Sequence, residues 1–167
     1  GITDVRLDII GREGWGNETD SLRRHPRVLL RGYLSAADAK AAIESADLYL
    51  CTSHDEGLGL PLIEVQFSGL QVVAPDAPVF REVLGASGLF IDPAAPEAAA
   101  AAIAVIVAAP DWRPGASAAA LANVARWNAV AAQDAASVAG LITGRRDATA
   151  SDRATDPAEI AVRPRVT

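Results

Sequence analysis

Glu56 and Glu64 stand with seven residues between them, around a glycine-bearing turn in the segment Ser53-His-Asp-Glu-Gly-Leu-Gly-Leu-Pro-Leu-Ile-Glu64. The hydrophobic run Leu48–Cys51 before the turn reads as a buried strand, and Leu62–Ser68 after it reads as a helix closed by Gly69. The turn therefore lies at the carboxyl end of a strand, the edge at which open α/β sheets bind ligands. Gly57 and Gly59 allow left-handed angles and close approach of a ligand to the main chain. Pro61 suits the first helical position, where its missing N–H is no loss. The amides of Leu58, Gly59 and Leu60, with the positive end of the helix dipole, are then expected to face an anion such as a sugar diphosphate. Glu64, one turn into the helix, is placed to take both hydroxyls of a ribose. Glu56 is placed to accept hydroxyl protons from the sugar beside the phosphates, and is the candidate catalytic residue. A nucleotide-sugar site needs these groups. The competing reading is a plain strand-to-helix turn whose acidic residues are favoured by the dipole alone, and the pairing of the two glutamates weighs against it.

The segment Glu56-Gly-Leu-Gly-Leu-Pro-Leu-Ile-Glu64 resembles the motif of paired glutamates in retaining glycosyltransferases of the GT-B fold, glycosyltransferase family 4 in particular. Upstream, Leu7–Gly11, Val28–Tyr33 and Ala46-Asp47 resemble that family's strand ends; downstream, Phe80–Gly85 and Gly88–Pro93 resemble two further blocks, and Arg126-Trp127 sits where Phe-Ser-Trp is common. The resemblance covers roughly residues 5 to 142. It implies metal-independent transfer without a cofactor, the nucleotide sugar being the donor substrate. It also implies that backbone groups near Gly32 and Tyr33 hold the nucleotide base, although Tyr33 reads equally as a half-buried core residue.

Three departures from the pattern matter. Leu58 replaces a Phe and keeps the apolar character. Val65-Gln-Phe-Ser68 replaces Ala-Met-Ala-Cys and leaves the packing of the helix open. The family's diphosphate-binding Arg and Lys, on a loop after the first strand of the domain, have no counterpart here; Arg12 is superficially similar but stands at the distance of the following strand. The resemblance thus implies a C-terminal, Rossmann-like donor-binding domain whose first strand and N-terminal acceptor-binding partner domain are missing. A chain of 167 residues without methionine fits a processed or excised part of something longer.

A net charge of −6, from 21 acidic and 15 basic residues, provides no basic field for nucleic acid or an anionic membrane. Cys51 stands alone, which leaves no internal disulfide and fits a small apolar residue in a reducing, cytoplasmic setting. The longest apolar run, Ala98–Ala109, has 12 residues against the ~20 of a membrane span, so no transmembrane segment is expected. His54 and Asp55 flank Glu56, but His25 is the one other histidine, too few for a metal site. Ser53 is expected to bond the turn, and Arg81 and Glu82 to orient a loop.

Candidate strands recur about every twenty residues, at Arg6–Ile10, Arg27–Leu30, Leu48–Cys51, Gln71–Pro75 and Gly88–Asp92. Helical stretches between them, such as Ser35–Ala46 with Ser35 and Asp38 as a capping pair, predict an α/β fold, a parallel sheet with helices on both faces. Helices follow over Pro96–Ala109 and from Ala116 to about Ile142. The expected organisation is a donor-binding domain over 1–142 and a polar, disordered tail over 143–167, with self-association through the apolar face of the last helix. The fragment is expected to bind a nucleotide sugar without catalysing transfer alone. The alternatives are a non-catalytic nucleotide-binding subunit of a split glycosyltransferase and a sugar epimerase of the same two-domain plan.

Overall fold

The computed structural model describes residues 5–12 and 18–151. Five short strands alternate with helices: β1 (Leu7–Ile10), α1 (Glu18–Arg23), β2 (Val28–Gly32), α2 (Ala36–Ser45), β3 (Leu48–Leu50), α3 (Leu60–Gln66), β4 (Gln71–Pro75), α4 (Pro78–Leu84), β5 (Gly88–Ile91), α5 (Pro96–Val107) and α6 (Trp112–Ser151). All strand pairs are parallel, as βαβ units require, and the α/β class agrees with the sequence. Among the described residues the expected sheet is seen as two ladders: β1 pairs β2, and β3-β4-β5 form the second.

The core gathers around β4. That strand has a neighbour on each side, and Val72, Val73 and Ala74 are fully buried. A parallel strand covered in this way reads as a continuous apolar run. Leu62 and Val65 from α3, Phe80, Val83 and Leu84 from α4, and Ala120 and Val124 from α6 join the core, with Cys51, Leu70 and Ile91.

The local start signals act as the sequence predicts. Ser35 caps α2, its Oγ accepting the Asp38 N–H at 3.1 Å. Pro61, Pro78 and Pro96 each sit in the first turn of a helix. Gly69 closes α3 at φ +72, and a Cβ there would lie 2.3 Å from Ser117 Oγ, so the chain passes α6 closely where no side chain fits.

The chain divides into two compact units, Gly1–Ala125 and Arg126–Thr167, with the boundary inside α6. In the second unit Val138, Leu141 and Ile142 are exposed, and the Arg126 guanidinium stands 4.7 Å from the Trp127 ring centroid. The division expected at 142/143 does not coincide with a break in secondary structure, because α6 continues to Ser151. No proline stands between Pro114 and Pro157, and alanine and arginine favour the helix. Residues 152–167, the rest of the expected tail, lie outside those described.

Candidate functional site

The turn between β3 and α3 is built around Gly59. Its φ of +63 and ψ of +39 are left-handed, and a Cβ would come within 3.0 Å of Leu62 Cδ1. Glycine is therefore favoured by the backbone, and a larger residue would also need the Leu62 side chain to yield by a few tenths of an ångström. Gly59 is buried while Leu58 and Leu60 on either side are more than half exposed, so the turn tucks its main chain inward and displays its side chains. The Gly59 carbonyl accepts the Leu62 N–H at 2.9 Å and starts α3 two residues earlier than the sequence suggests.

Glu64 lies on the exposed side of α3, flanked by buried Leu62 and Val65. The helix beneath it is held by a polar network in the core. Gln66, fully buried, donates from Nε2 to Ser87 Oγ at 2.7 Å and accepts from Asn123 Nδ2 at 2.7 Å; Asn123 also donates to the Val83 carbonyl at 3.0 Å. Ser87 Oγ donates in turn to the Leu84 carbonyl at 2.6 Å. The packing left open by Val65-Gln-Phe-Ser68 is thereby resolved: Val65 and Gln66 face the core, and Phe67 and Ser68 face solvent.

Glu56 is half-buried, and its N–H is taken by Asp55 Oδ1 at 2.9 Å. Its charge reaches β3: burial foremost, then the charges of Cys51 and Glu56, push the Tyr49 phenol above its ordinary value. Cys51 itself is buried, as its apolar reading requires. His54 is exposed, His25 Nδ1 accepts the Arg27 N–H at 3.3 Å, and among the described residues no three of His, Cys, Asp and Glu gather as metal ligands.

Gly32 ends the other ladder and Tyr33 follows it. Gly32 (φ +65) ends β2, and its carbonyl accepts the Gly11 N–H at 2.8 Å, pinning the carboxyl ends of β1 and β2 together. Tyr33 is 83% exposed, which removes the core reading and leaves its ring free to meet a ligand. The residues from Glu56 to Glu64 are thus brought together around one helix terminus, whereas among the described residues Gly32 and Tyr33 share no ladder with them.

A further ion pair at this edge is not evident from the sequence. Asp76, immediately after β4, is gripped bidentately by Arg81, with Nη2 to Oδ2 at 2.8 Å and Nε to Oδ1. That hydrogen bond holds the Asp76 carboxyl below its ordinary value, and the guanidinium lies 4.7 Å from the Phe90 centroid. Arg81, expected to orient a loop, is paired with Asp76 at the end of β4. An Asp at a strand end with an Arg five residues on is the signal that could have found it.

Among the described residues no helix is long and apolar enough to cross a membrane. The family described as "Glycosyl transferases group 1" matches residues 2–109. The serotype-specific mannosyltransferase WbdA of Escherichia coli is 33% identical over 88 residues, 48% of this chain and 11% of that protein. O-antigen chain mannosyltransferase B of Escherichia coli is 29% identical over 117 residues, 70% of this chain and 28% of that protein. The chain thus spans less than a third of the length of these curated relatives. The solved structure of the pneumococcal O-GlcNAc transferase GtfA in complex with UDP and GlcNAc superposes with a TM-score of 0.54 at 20% identity, covering 77% of this chain and 29% of that one, a likeness of fold. The parallel strands, the glycine turn with its two glutamates and the match over most of the chain converge, and the chain belongs to the group 1 glycosyltransferases.

Proposed function

We propose that the chain is the nucleotide-sugar-binding part of a retaining glycosyltransferase that transfers a hexose to a polysaccharide or glycolipid acceptor in the cytoplasm. The observation that carries this reading is the left-handed, buried Gly59 at the start of α3, with Glu56 before it and Glu64 on the exposed side of the helix. The amides leading into α3 stabilise the diphosphate, Glu64 takes the ribose hydroxyls, and Glu56 contacts the hydroxyls of the sugar. Tyr33, exposed beside Gly32, supplies a flat surface for the nucleotide base. The names of both curated relatives support mannose as the hexose.

Departure of the diphosphate develops negative charge, and preorganised donors stabilise it best. The helix terminus supplies the neutral donors. Further cationic groups and the acceptor site come from outside residues 1–167, so the chain alone binds donor and does not turn it over. Calorimetric titration of the chain with a nucleoside diphosphate and with the matching nucleotide sugar tests the reading. Saturable binding of both, tighter for the nucleotide sugar, is expected; binding of neither contradicts it.

A further inference from the structure

A cleft lies at the amino ends of β3 and β4, the edge opposite to the Glu56–Glu64 turn. The two strands start in register, Leu48 beside Gln71, so the residues that lead into them are brought together. The first turn of α6 meets them there. Asp111, at φ +58, adopts a left-handed angle that Asp tolerates better than most residues, and it turns the chain into α6 so that Trp112 and Arg113 reach the cleft. Gly69 keeps the cleft open to Ser117: a Cβ on that glycine would lie 2.3 Å from Ser117 Oγ. The cleft holds roughly 170 Å³. That is below the ~300–1,000 Å³ of sites for drug-sized ligands, and fits one small ring better than a nucleotide.

The groups around the cleft balance their charges. Arg113 Nη2 pairs with Asp47 Oδ1, and Lys40 Nζ stands 3.4 Å from Glu44 Oε1. Such a wall has little surplus charge to attract a free ion, yet carboxylates and guanidinium keep further lone pairs and N–H groups to offer. Gln71 donates from Nε2 to the carbonyls of Val72 at 3.2 Å and Ser87 at 2.8 Å, so its amide presents the acceptor Oε1. The hydroxyls of Ser68 and Ser117 both donate and accept. Trp112 adds an apolar plane, and the Arg113 guanidinium, 5.5 Å from its ring centroid, restrains it. Donors, acceptors and a flat apolar surface around a space for one ring complement a pyranose, whose hydroxyls pair with both kinds of group and whose C–H face is apolar.

We propose that this cleft binds one neutral hexose unit of a glycan, with Asp47, Arg113 and Gln71 taking its hydroxyls and Trp112 covering a C–H face. The site is separate from the Glu56–Glu64 turn and does not rest on the nucleotide-sugar reading. In a glycosyltransferase a second, weak hold of this kind raises the effective concentration of a glycan that reaches both sites. Asp47 and Arg113 are 58% and 63% exposed, so water competes for their hydrogen bonds. Affinity for a single unit is accordingly low, with a Kd on the order of 1 mM.

Titration of the chain with linear tetrasaccharides of mannose and of glucose, followed by NMR through the Trp112 indole N–H, tests the proposal. Saturable movement of that signal by at least one of them is expected. Asp47→Ala, at an exposed position, and Trp112→Ala, read through the Gly69 amide, are each expected to weaken binding at least ~5-fold, with circular dichroism confirming the fold. Inorganic phosphate is expected not to saturate the site. A nucleoside diphosphate is expected to move the amides of Leu58 to Leu60 and to spare Trp112, so failure of either site is read separately from failure of the other. No saturable shift with either tetrasaccharide, a shift that both folded variants leave unchanged, or equal saturation by inorganic phosphate overturns the proposal.

Discussion

Asn123 of α6 donates a 2.7 Å hydrogen bond to the amide oxygen of Gln66 on α3, across 57 positions of sequence and with both side chains buried. This bond ties the helix that carries Glu64 to the helix that closes the core.

Asn123→Ala removes that donor from a carbonyl oxygen in the core, where lost pairing costs about 1–3 kcal/mol. Urea denaturation is expected to show a lower midpoint with an unchanged slope. Asn123→Asp, which keeps the shape and replaces the amide donor with an acceptor facing Gln66 Oε1, is expected to destabilise at least as much.

Two glycines separate backbone strain from crowding. At Gly32 (φ +65) an added Cβ would meet nothing within 4 Å, whereas at Gly69 (φ +72) it would stand 2.3 Å from Ser117 Oγ and 3.2 Å from Ser117 Cβ. Gly32→Ala is expected to cost only the left-handed strain, about 1–2 kcal/mol. Gly69→Ala is expected to cost more, and pairing it with Ser117→Gly should recover the difference. Thermal unfolding of these variants beside the parent chain makes the comparison.

The pH response follows from two groups. Tyr49, raised above 10.0 by burial, Cys51 and Glu56, contributes stability that is present below pH 10.0 and lost as pH rises through the higher folded value. Tyr49→Phe is expected to flatten that alkaline loss, and Glu56→Gln to lower the Tyr49 midpoint measured by NMR. Asp76, lowered below 3.8 by Arg81, acts in the opposite sense: its contribution is present above pH 3.8 and lost as pH falls through the folded value. Arg81→Gln is expected to return the Asp76 titration toward 3.8.

Much of the fold is legible in the chain. Gln71–Pro75 is found at its expected limits because an apolar run bounded by turn residues has one stable use in an α/β domain. Gln66 gives no local sign of being in the core, because its burial depends on Asn123 and Ser87, which are distant in sequence. The split of the sheet is hidden for a similar reason: Leu7–Ile10 and Leu48–Leu50 each read as strands, and nothing local in either says whether they pair. The length of α6 exceeds the expected end at Ile142 because the residues that follow mix helix-forming alanine and arginine with polar groups, a composition compatible with a helix as well as with a tail. At the candidate site, the Glu56–Glu64 turn is legible from glycine and carboxylate spacing. The Asp76–Arg81 pair is signalled by its spacing alone, and its bidentate geometry depends on how α4 leaves β4.

Glu64 and Glu56, in the proposed site, hold different parts of one nucleotide sugar. Glu64→Ala is predicted to weaken nucleoside diphosphate and nucleotide sugar alike, by two charge-assisted hydrogen bonds of ~1.5–3 kcal/mol each. Glu56→Ala is predicted to weaken the nucleotide sugar and spare the nucleoside diphosphate, which carries no hexose. Calorimetry of both ligands against both variants, with circular dichroism confirming the fold, is the most direct measurement. Unequal loss in this pattern supports the account; equal loss of both ligands in both variants, or no loss in either, contradicts it.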